Sequence, residues 1–285
     1  MILVTGLSGM VGKYAHTYLN ENQLEHQSLN RKNFDLSNLH SIDSTLKNKK
    51  FTHFIHLAAE TNVDFCETNP QHAYVCNFLA TKKIAQYCAE VGARLIFIST
   101  SGVFGAQGKT QYCELDLPSP SNLYGLSKLH AEQAVTSICK NSLIIRAGWM
   151  IGGGEERDSK FVGKIMQQLR ENKKEISAVS DKFGAITHAK HLAKLIIESL
   201  NENYIGVKHF SSYDICSRYD IAKAIKQKLN AACKIIPVNS SIFPTPAQRG
   251  TSEAIYSVIP QELINAPNYS WSELLNIYLE EEFHV

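Results

Sequence analysis

Several features that define large classes of proteins are missing from this sequence of 285 residues. No apolar run approaches the roughly 20 residues of a membrane-spanning helix, so no membrane partner is expected. The 29 basic residues nearly balance the 27 acidic ones and form no basic block, which argues against nucleic acid as a partner. Because neither a basic leader segment nor a cleavage site precedes the first apolar run, we expect a cytoplasmic protein.

Cysteine usage excludes two further classes. The seven cysteines are an odd number without a Cys-x-x-Cys pair, which fits reduced thiols better than a disulfide framework. Histidine and cysteine are scattered without ligand spacing, so we expect no bound metal. What is present is a globular composition, with 44% hydrophobic and 20% charged residues, which allows a sizeable core.

Short apolar runs alternate with helical patterns, which predicts an α/β fold with a doubly wound parallel sheet of the Rossmann type. The predicted strands are Ile2–Thr5, His26–Leu29, Phe54–Ala58, Arg94–Ser99, Leu143–Ala147 and Ile205–Phe210. The predicted helices are Met10–Leu19, His72–Val91, Leu123–Cys139, His188–Leu200 and Arg218–Ala231.

A polar break at Gly152–Asp158 divides the chain into two parts. We expect a dinucleotide-binding domain over residues 1–150, completed by about 186–210. A smaller C-terminal substrate-binding lobe would then consist of residues 151–185 and 211–285. Within that lobe, Ile235–Gly250 holds three of the chain's prolines and is expected to be irregular.

Three glycines, Gly6, Gly9 and Gly12, follow the first predicted strand directly. In a dinucleotide fold, one glycine makes the tight turn, another lets the backbone approach a pyrophosphate, and the last lets the helix lie close to the strand.

The second strand is followed by Arg31, with no acidic residue before Asp35. A basic residue there accommodates the 2′-phosphate of NADP, so we expect NADPH, with NAD as the alternative. The alternative interpretations are that the glycines form a plain connecting turn and that Arg31 is an ordinary surface charge.

The spacing Tyr-x-x-x-Lys places a phenol and an ammonium one helical turn apart, where the cation lowers the pKa of the phenol and suits it to acid/base chemistry. It occurs at Tyr124/Lys128, Tyr204/Lys208 and Tyr219/Lys223. The second pair spans a glycine and enters a strand, and the third lies far from the glycine loop in sequence. The first pair follows a buried strand that ends at Thr100, and ligands bind at the carboxyl ends of parallel strands. Thr100, Tyr124 and Lys128 are therefore the candidate catalytic residues.

These residues resemble the extended short-chain dehydrogenase/reductase superfamily and, more narrowly, the dTDP-4-dehydrorhamnose reductase family of sugar-nucleotide reductases. Beside the glycine loop, the resemblance rests on Leu57–Asp64, Ile98–Thr100, Val103–Phe104, Tyr124–Lys128 and Arg146–Trp149. It implies an enzyme that uses NADPH to reduce the 4-keto group of a nucleotide-linked 6-deoxysugar, for the biosynthesis of cell-surface polysaccharide.

The resemblance also implies individual roles. Tyr124 would protonate the C4 oxygen, Thr100 would hydrogen-bond the same oxygen, and Lys128 would hold the nicotinamide ribose and tune Tyr124. The implied cofactor contacts are Gly6, Gly9, Met10, Val11 and Gly12 at the pyrophosphate loop, Arg31, Asp35 and Leu36 at the adenosine end, and Ala58, Ala59, Thr61 and Asn77 toward the nicotinamide ribose and the lysine. The implied substrate contacts are Thr100, Ser101, Val103, Trp149 and Arg249.

Two of these substrate contacts have alternative interpretations: Trp149 as a core aromatic and Arg249 as a surface charge. Where the family has Thr-Asp-Tyr-Val-Phe, this chain has Thr-Ser-Gly-Val-Phe at 100–104, which leaves the identity of the sugar open. Some members of the family join subunits through a metal held by an acid after the glycine loop. Here Lys13 and Tyr14 follow instead, so no metal is carried over, and a homodimer stays open.

Two other functions fit the same scaffold. An epimerase or dehydratase would retain NAD and return the hydride, but Arg31 favours NADPH, and Ser101 with Gly102 supplies no acid to expel water. A non-catalytic regulatory subunit would bind the nucleotide without chemistry. Retention of Thr100, Tyr124 and Lys128 together argues against that alternative.

Overall fold

The computed structural model describes residues 1–260 and 268–285, so residues 261–267 of the predicted second lobe lie outside the described residues. The strands are β1 (Ile2–Thr5), β2 (His26–Leu29), β3 (His53–His56), β4 (Arg94–Thr100), β5 (Ser142–Ala147), β6 (Trp149–Ile151), β7 (Glu175–Val179), β8 (Phe183–Gly184), β9 (Ile186–His188), β10 (Gly206–Phe210), β11 (Cys216–Ser217) and β12 (Lys234–Val238). The α-helices are α1 (Met10–Glu21), α2 (Leu39–Leu46), α3 (Val63–Thr68), α4 (Pro70–Ala73), α5 (Ala80–Val91), α6 (Leu123–Ile138), α7 (Gly154–Arg157), α8 (Phe161–Arg170), α9 (Ala189–Glu198), α10 (Arg218–Lys228) and α11 (Trp271–Phe283).

The central sheet has six parallel strands in the order β10-β5-β4-β3-β1-β2. The residues of β1 and β5 are buried throughout, because helices cover both faces of the sheet, and this explains their continuous apolar sequences. The strand order reverses between β1 and β3, which is the point where such sheets leave a crevice for ligands. The prediction of a doubly wound parallel sheet is confirmed.

Two hydrophobic clusters fill the space between the sheet and its helices. One joins side chains of α2, α5 and α6 to one face of the sheet, and the other joins side chains of α1 and α9 to the opposite face. Ile96 and Phe97, neighbours on β4, belong to different clusters because successive side chains of a strand point to opposite faces. The helix carrying Tyr124 and Lys128 therefore lies directly against the sheet.

The segment predicted as one helix over His72–Val91 is helical throughout but not uniform. It consists of α4, a π-helical turn at Tyr74–Leu79, and α5. A π-turn adds a residue to a turn and commonly marks a functional site. Here it carries Asn77, whose side chain is buried.

A second core lies in the later part of the chain, where α8, α10 and α11 pack together and against β7 and β12. The prediction that Ile235–Gly250 is irregular is wrong for its first residues, because β12 pairs in parallel with β7. Pro237 is tolerated in this strand because, in the part of the chain that the structure describes, the sheet has two strands and no third strand needs the missing N–H.

All seven cysteines are buried and free. In the two stretches that the structure describes, 1–260 and 268–285, no helix is both long and apolar enough to cross a membrane.

Candidate active site

A cavity of about 840 Å³ opens at the carboxyl ends of β1, β2, β3, β4 and β5. Because the chain leaves each strand at this edge, the loops that follow the strands form the walls. The structure brings most of the predicted residues into these walls. Those that line the cavity are Gly6, Gly9, Met10, Val11, Gly12, Arg31, Asp35, Leu36, Ala58, Ala59, Thr61, Thr100, Tyr124 and Lys128.

The three loop glycines are required for different reasons. A Cβ on Gly12 would lie 2.1 Å from the carbonyl oxygen of Gly6, so this glycine allows α1 to approach the turn. Gly6 has φ +78°, and its Cβ would lie 2.7 Å from the backbone nitrogen of Ala58. At Gly9 a Cβ would meet only the Gly6 carbonyl oxygen, at 3.3 Å. The open side of Gly9 therefore faces the cavity, as a close approach by a pyrophosphate requires.

A buried histidine fixes the base of this loop. His56 Nδ1 lies 2.8 Å from Thr5 Oγ1, and its Nε2 lies 3.1 Å from Thr81 Oγ1. Thr5 Oγ1 in turn accepts a hydrogen bond from the backbone N–H of Ala58 at 3.2 Å. Burial, with a smaller contribution from the charge of Lys128, lowers the pKa of His56 to about 3. His56 is therefore neutral at physiological pH and acts as a hydrogen-bonding link between β1 and β3.

Arg31 lies at the other end of the cavity, in the loop after β2. Its side chain is exposed and, among the described residues, makes no ion pair or hydrogen bond. A basic side chain held free at this position fits a 2′-phosphate. The Asp35 carboxylate already has hydrogen-bond donors close in sequence, since its Oδ1 accepts from both the N–H and the hydroxyl of Ser37. The residues present thus fit a dinucleotide laid from the Arg31 end to the Tyr124 end.

Thr100, Tyr124 and Lys128 meet at the end of β4. The side chains of Thr100 and Tyr124 are neighbours, since a Cβ on Gly102 would lie 3.3 Å from Thr100 Oγ1 and 3.7 Å from Tyr124 Cε1. Thr100 Oγ1 accepts a hydrogen bond from the Gly102 N–H at 3.0 Å. Lys128 Nζ donates to the carbonyl oxygen of Ile98 at 2.7 Å. Asn122 caps α6 by accepting from the Gly125 N–H, which fixes the start of the helix that carries Tyr124 and Lys128.

The electrostatics of this group differ from the prediction that Lys128 lowers the pKa of Tyr124. Burial raises the pKa of Tyr124 to about 12, although its hydrogen bond to Thr100 acts in the opposite direction. Burial also lowers the pKa of Lys128 to about 7, opposed by the charge of Glu132. The prediction is wrong because desolvation is the largest influence on the pKa of each of the two groups. Tyr124 is therefore a protonated phenol at neutral pH, in the state that a proton donor needs.

Five predicted residues do not line the cavity: Asn77, Ser101, Val103, Trp149 and Arg249. The resemblance implies that Asn77 supports the lysine through water, and this stays a prediction. Its side chain bonds the backbone of Glu60 and donates to Ser127 Oγ at 3.1 Å. Val103 is fully buried in a small apolar cluster, and the Ser101 side chain is also buried. Both residues are buried as a whole, so neither offers surface to a substrate.

Trp149 packs against the second core, and Arg249 pairs with a residue of α3, so both side chains are already engaged. A Cβ on Gly184 would lie 2.3 Å and 2.4 Å from the two carbons shared by the indole rings, so Gly184 packs on a ring face. The guanidinium of Arg218 lies 4.1 Å from the ring centroid, and the contact of Gly184 leaves it the opposite face. Arg249 forms an ion pair with Asp64 at 3.0 Å. Packing of a sugar ring on a free face of Trp149 is therefore not supported.

Sequence reasoning missed several residues that line the cavity, among them Leu7, Ser8, Glu60 and Lys160. Leu7 and Ser8 lie between predicted glycines, so the glycine pattern itself could have included them. Lys160 comes from the segment after the polar break, and no local pattern relates it to the glycine loop. Its backbone N–H donates to Asp158 Oδ1 at 2.8 Å, which orders that segment.

The fold and the site together define the class: an extended short-chain dehydrogenase/reductase, with a dinucleotide crevice that ends at a Thr-Tyr-Lys group. A family model described as the RmlD substrate binding domain matches residues 1–283. The chain belongs to this family, and the resemblance inferred from the sequence is confirmed.

Individual relatives agree with this assignment. The chain is 31% identical over 283 residues to the spore coat polysaccharide biosynthesis protein SpsK of Bacillus subtilis, covering 98% of this chain and 97% of that protein. It is 29% identical over 262 residues to the dTDP-4-dehydrorhamnose reductase of Mycobacterium tuberculosis (strain CDC 1551 / Oshkosh), covering 90% and 84%.

Solved structures are similar over the whole fold. The dTDP-4-dehydrorhamnose reductase of Yersinia enterocolitica superposes with a TM-score of 0.93 at 45% identity, covering 98% of each chain. The Bacillus anthracis dTDP-4-dehydrorhamnose reductase, solved in complex with NADP, gives a TM-score of 0.89 at 28% identity, again covering 98% of each chain.

Proposed function

We propose that this protein is an NADPH-dependent reductase of the 4-keto group of a dTDP-linked 6-deoxysugar, with dTDP-4-dehydrorhamnose reductase activity, in the supply of sugars for cell-surface polysaccharide. The observation that carries the proposal is one cavity with the open face of Gly9 and Arg31 toward one end and Thr100, Tyr124 and Lys128 at the other. Relatives and structures named dTDP-4-dehydrorhamnose reductase support the substrate class.

In this proposal, bound NADPH supplies the hydride. The Tyr124 hydroxyl donates a proton to the sugar C4 oxygen, which its raised pKa favours because the phenol is protonated at neutral pH. Thr100 hydrogen-bonds the same oxygen and holds it in line with the phenol. Lys128, buried and one turn along α6, binds the nicotinamide ribose and stabilises the phenolate that remains after proton transfer.

The second lobe is proposed to bind the nucleotide-sugar, with residues 1–150 and about 186–210 forming the cofactor domain. A homodimer belongs to the same proposal, and light scattering of the purified protein tests it.

The test offers purified protein a dTDP-4-keto-6-deoxyhexose with NADPH and, in parallel, with NADH. The proposal expects one cofactor oxidised per sugar reduced, with NADPH preferred. No oxidation, together with NAD released when the protein is denatured, would contradict the proposal in favour of an epimerase. No oxidation and no bound nucleotide would contradict it in favour of a binding subunit.

Arg31 provides a separate test of the cofactor. Arg31→Ala should weaken NADPH binding by about tenfold or more and leave NADH binding nearly unchanged, because a charge-assisted contact to phosphate is lost. Titration of nucleotide fluorescence measures both affinities. Lys32→Ala, at the neighbouring residue, is the matched control, since Lys32 does not line the cavity. Equal losses for the two nucleotides in Arg31→Ala would remove Arg31 as the phosphate contact.

A further inference from the structure

One cation that lines the cavity, Lys160, was not among the predicted site residues and has no role in the proposed reaction. Its side chain is exposed, and its ammonium forms no ion pair or hydrogen bond with any group that the structure describes. In the described part of the chain, the other arginine and lysine that line the cavity already have proposed partners, Arg31 the 2′-phosphate and Lys128 the nicotinamide ribose. Lys160 is the cation that is left for a further anionic group of a ligand.

The segment that carries Lys160 is fixed by the side chain of Asp158. Asp158 Oδ1 accepts a hydrogen bond from the Lys160 N–H at 2.8 Å, and Oδ2 accepts one from the Gly163 N–H at 3.0 Å. The Tyr278 hydroxyl donates to the same Oδ2 at 2.9 Å, which connects the segment to α11. The backbone of Lys160 is therefore held by bonds that its own side chain does not make, so the ammonium is available to a ligand.

This segment also packs beside the first turn of α1, directly after the glycine loop. A Cβ on Gly152 would lie 3.4 Å from the Cγ of Met10, which is the first residue of α1. One residue further, the Gly153 N–H donates to the Tyr14 hydroxyl at 2.8 Å. The chain that leads to Lys160 thus contacts the helix whose N-terminus is proposed to bind the pyrophosphate of the dinucleotide.

The order of the strands separates Lys160 from the end of the cavity at Arg31. In the central sheet, β5 and β2 lie on opposite sides of β1. The chain reaches Lys160 after it leaves β5, whereas Arg31 follows β2 directly. NADPH carries two anionic groups, the pyrophosphate and the 2′-phosphate. Because the 2′-phosphate is assigned to the Arg31 end, the pyrophosphate is the group that fits Lys160.

We propose that Lys160 binds the pyrophosphate of the dinucleotide through its ammonium. The inference rests on the proposed function, which places the dinucleotide in this cavity. The glycine loop offers the pyrophosphate backbone N–H groups with partial charges, whereas an ammonium adds a full positive charge. The pyrophosphate is common to NADPH and NADH. Lys160 therefore contributes to the affinity for both cofactors, and Arg31 to the preference between them.

The test titrates NADPH and NADH into Lys160→Ala and follows nucleotide fluorescence. Both affinities should fall by the same factor, about tenfold, because a charge-assisted contact to a shared group is lost. The loss should become smaller in about 0.5 M salt, since ions screen an exposed charge. Lys160→Arg keeps the charge and should retain most of the affinity. Lys164→Ala is the matched control, because Lys164 is exposed one turn along α8 and does not line the cavity.

Titration of dTDP separates the two possible sources of a diphosphate, the cofactor and the nucleotide-sugar. The affinity for dTDP should be unchanged in Lys160→Ala, and a loss for dTDP with unchanged affinity for both cofactors would overturn the proposal. A loss for NADPH alone would assign Lys160 to the 2′-phosphate and overturn it as well, as would unchanged affinities for all three ligands. A wild type that binds both cofactors but reduces no sugar overturns only the proposed reaction, because the role of Lys160 is measured by binding.

Discussion

At the scale of single residues, burial decides how Tyr124 and Lys128 ionise. Each lies in a site where the charged form is disfavoured, so the phenol keeps its proton and the ammonium loses its proton more readily. Their spacing along α6 is local, but their chemistry depends on the strands and loops around them.

Tyr124→Phe should lower kcat by about 10²–10⁴-fold, because the hydroxyl that donates the proton is removed. The affinity for NADPH should be nearly unchanged, since the ring still fills its place beside Thr100. Steady-state kinetics and nucleotide titration measure the two quantities. Tyr219→Phe, on α10, is the control and should keep wild-type turnover. Near-normal turnover in Tyr124→Phe would mean that another group is the acid.

Lys128→Met should change how stability depends on pH. The pKa of Lys128 is about 7 in the folded protein and 10.5 normally, so between these values the unfolded chain binds the proton that the folded chain has lost. The free energy of unfolding of the wild type should therefore rise with pH over this window, relative to Lys128→Met, by up to about 1.4 kcal/mol per unit. Urea unfolding without cofactor from pH 6.5 to 9 measures it. Parallel curves for the two proteins would exclude a lowered pKa.

At the scale of elements, two glycines in the turn from β1 into α1 meet two different requirements, one for packing of the helix and one for binding of the cofactor. Gly12 serves the contact between helix and strand, whereas Gly9 has φ −80° and leaves open the space beside the cavity. An alanine at position 9 is therefore compatible with the backbone but not with a ligand that lies against it. The same substitution at position 12 is incompatible with the fold.

Gly9→Ala should weaken NADPH binding by about tenfold or more and leave the free energy of unfolding of the ligand-free protein nearly unchanged. Gly12→Ala should instead lower that free energy by about 1–3 kcal/mol or more, because its Cβ would overlap the Gly6 carbonyl. Nucleotide titration and urea unfolding of both variants distinguish the effects. A stable Gly12→Ala protein with wild-type affinity would contradict this division of roles.

The predictions from sequence are most accurate where the contacts that determine the structure are between residues close in the chain. The glycine loop, the strand before Thr100 and the Tyr124–Lys128 spacing each lie within a few residues, and the structure brings them to one cavity. The π-turn at Tyr74–Leu79 and the strand β12 were not predicted, since one resembles a regular helix and the other contains Pro237. Lys160 was missed because it lies about 150 residues after the glycine loop whose cavity it lines.

At the scale of the whole molecule, one partly buried hydrogen-bonded group joins elements near the two ends of the sequence. Tyr14 on α1 donates to the Glu282 carboxylate on α11 at 2.6 Å, and accepts from the Gly153 N–H at 2.8 Å. His188 Nε2 lies 3.4 Å from the same carboxylate. The helix that begins at the glycine loop is thereby connected to the second core.

Tyr14→Phe should lower the free energy of unfolding by about 1–3 kcal/mol, because the Glu282 carboxylate and the Gly153 N–H each lose a partner in a partly buried site. Tyr18→Phe, one turn along the same helix, is the matched control, since no hydrogen bond of its hydroxyl is seen in the described residues. Urea unfolding measures both. Equal losses would mean that the aromatic packing, not the hydroxyl, provides the stability.

The position of β10 at the edge of the sheet has a consequence for synthesis on the ribosome. Its partner β5 ends at Ala147, while β10 begins at Gly206, about sixty residues later. At translation rates of about 5–20 residues per second, the outer edge of β5 stays unpaired for about 3–12 s before β10 has been synthesised. During that interval an apolar strand with unpaired backbone groups is exposed, which is the condition that favours aggregation of nascent chains.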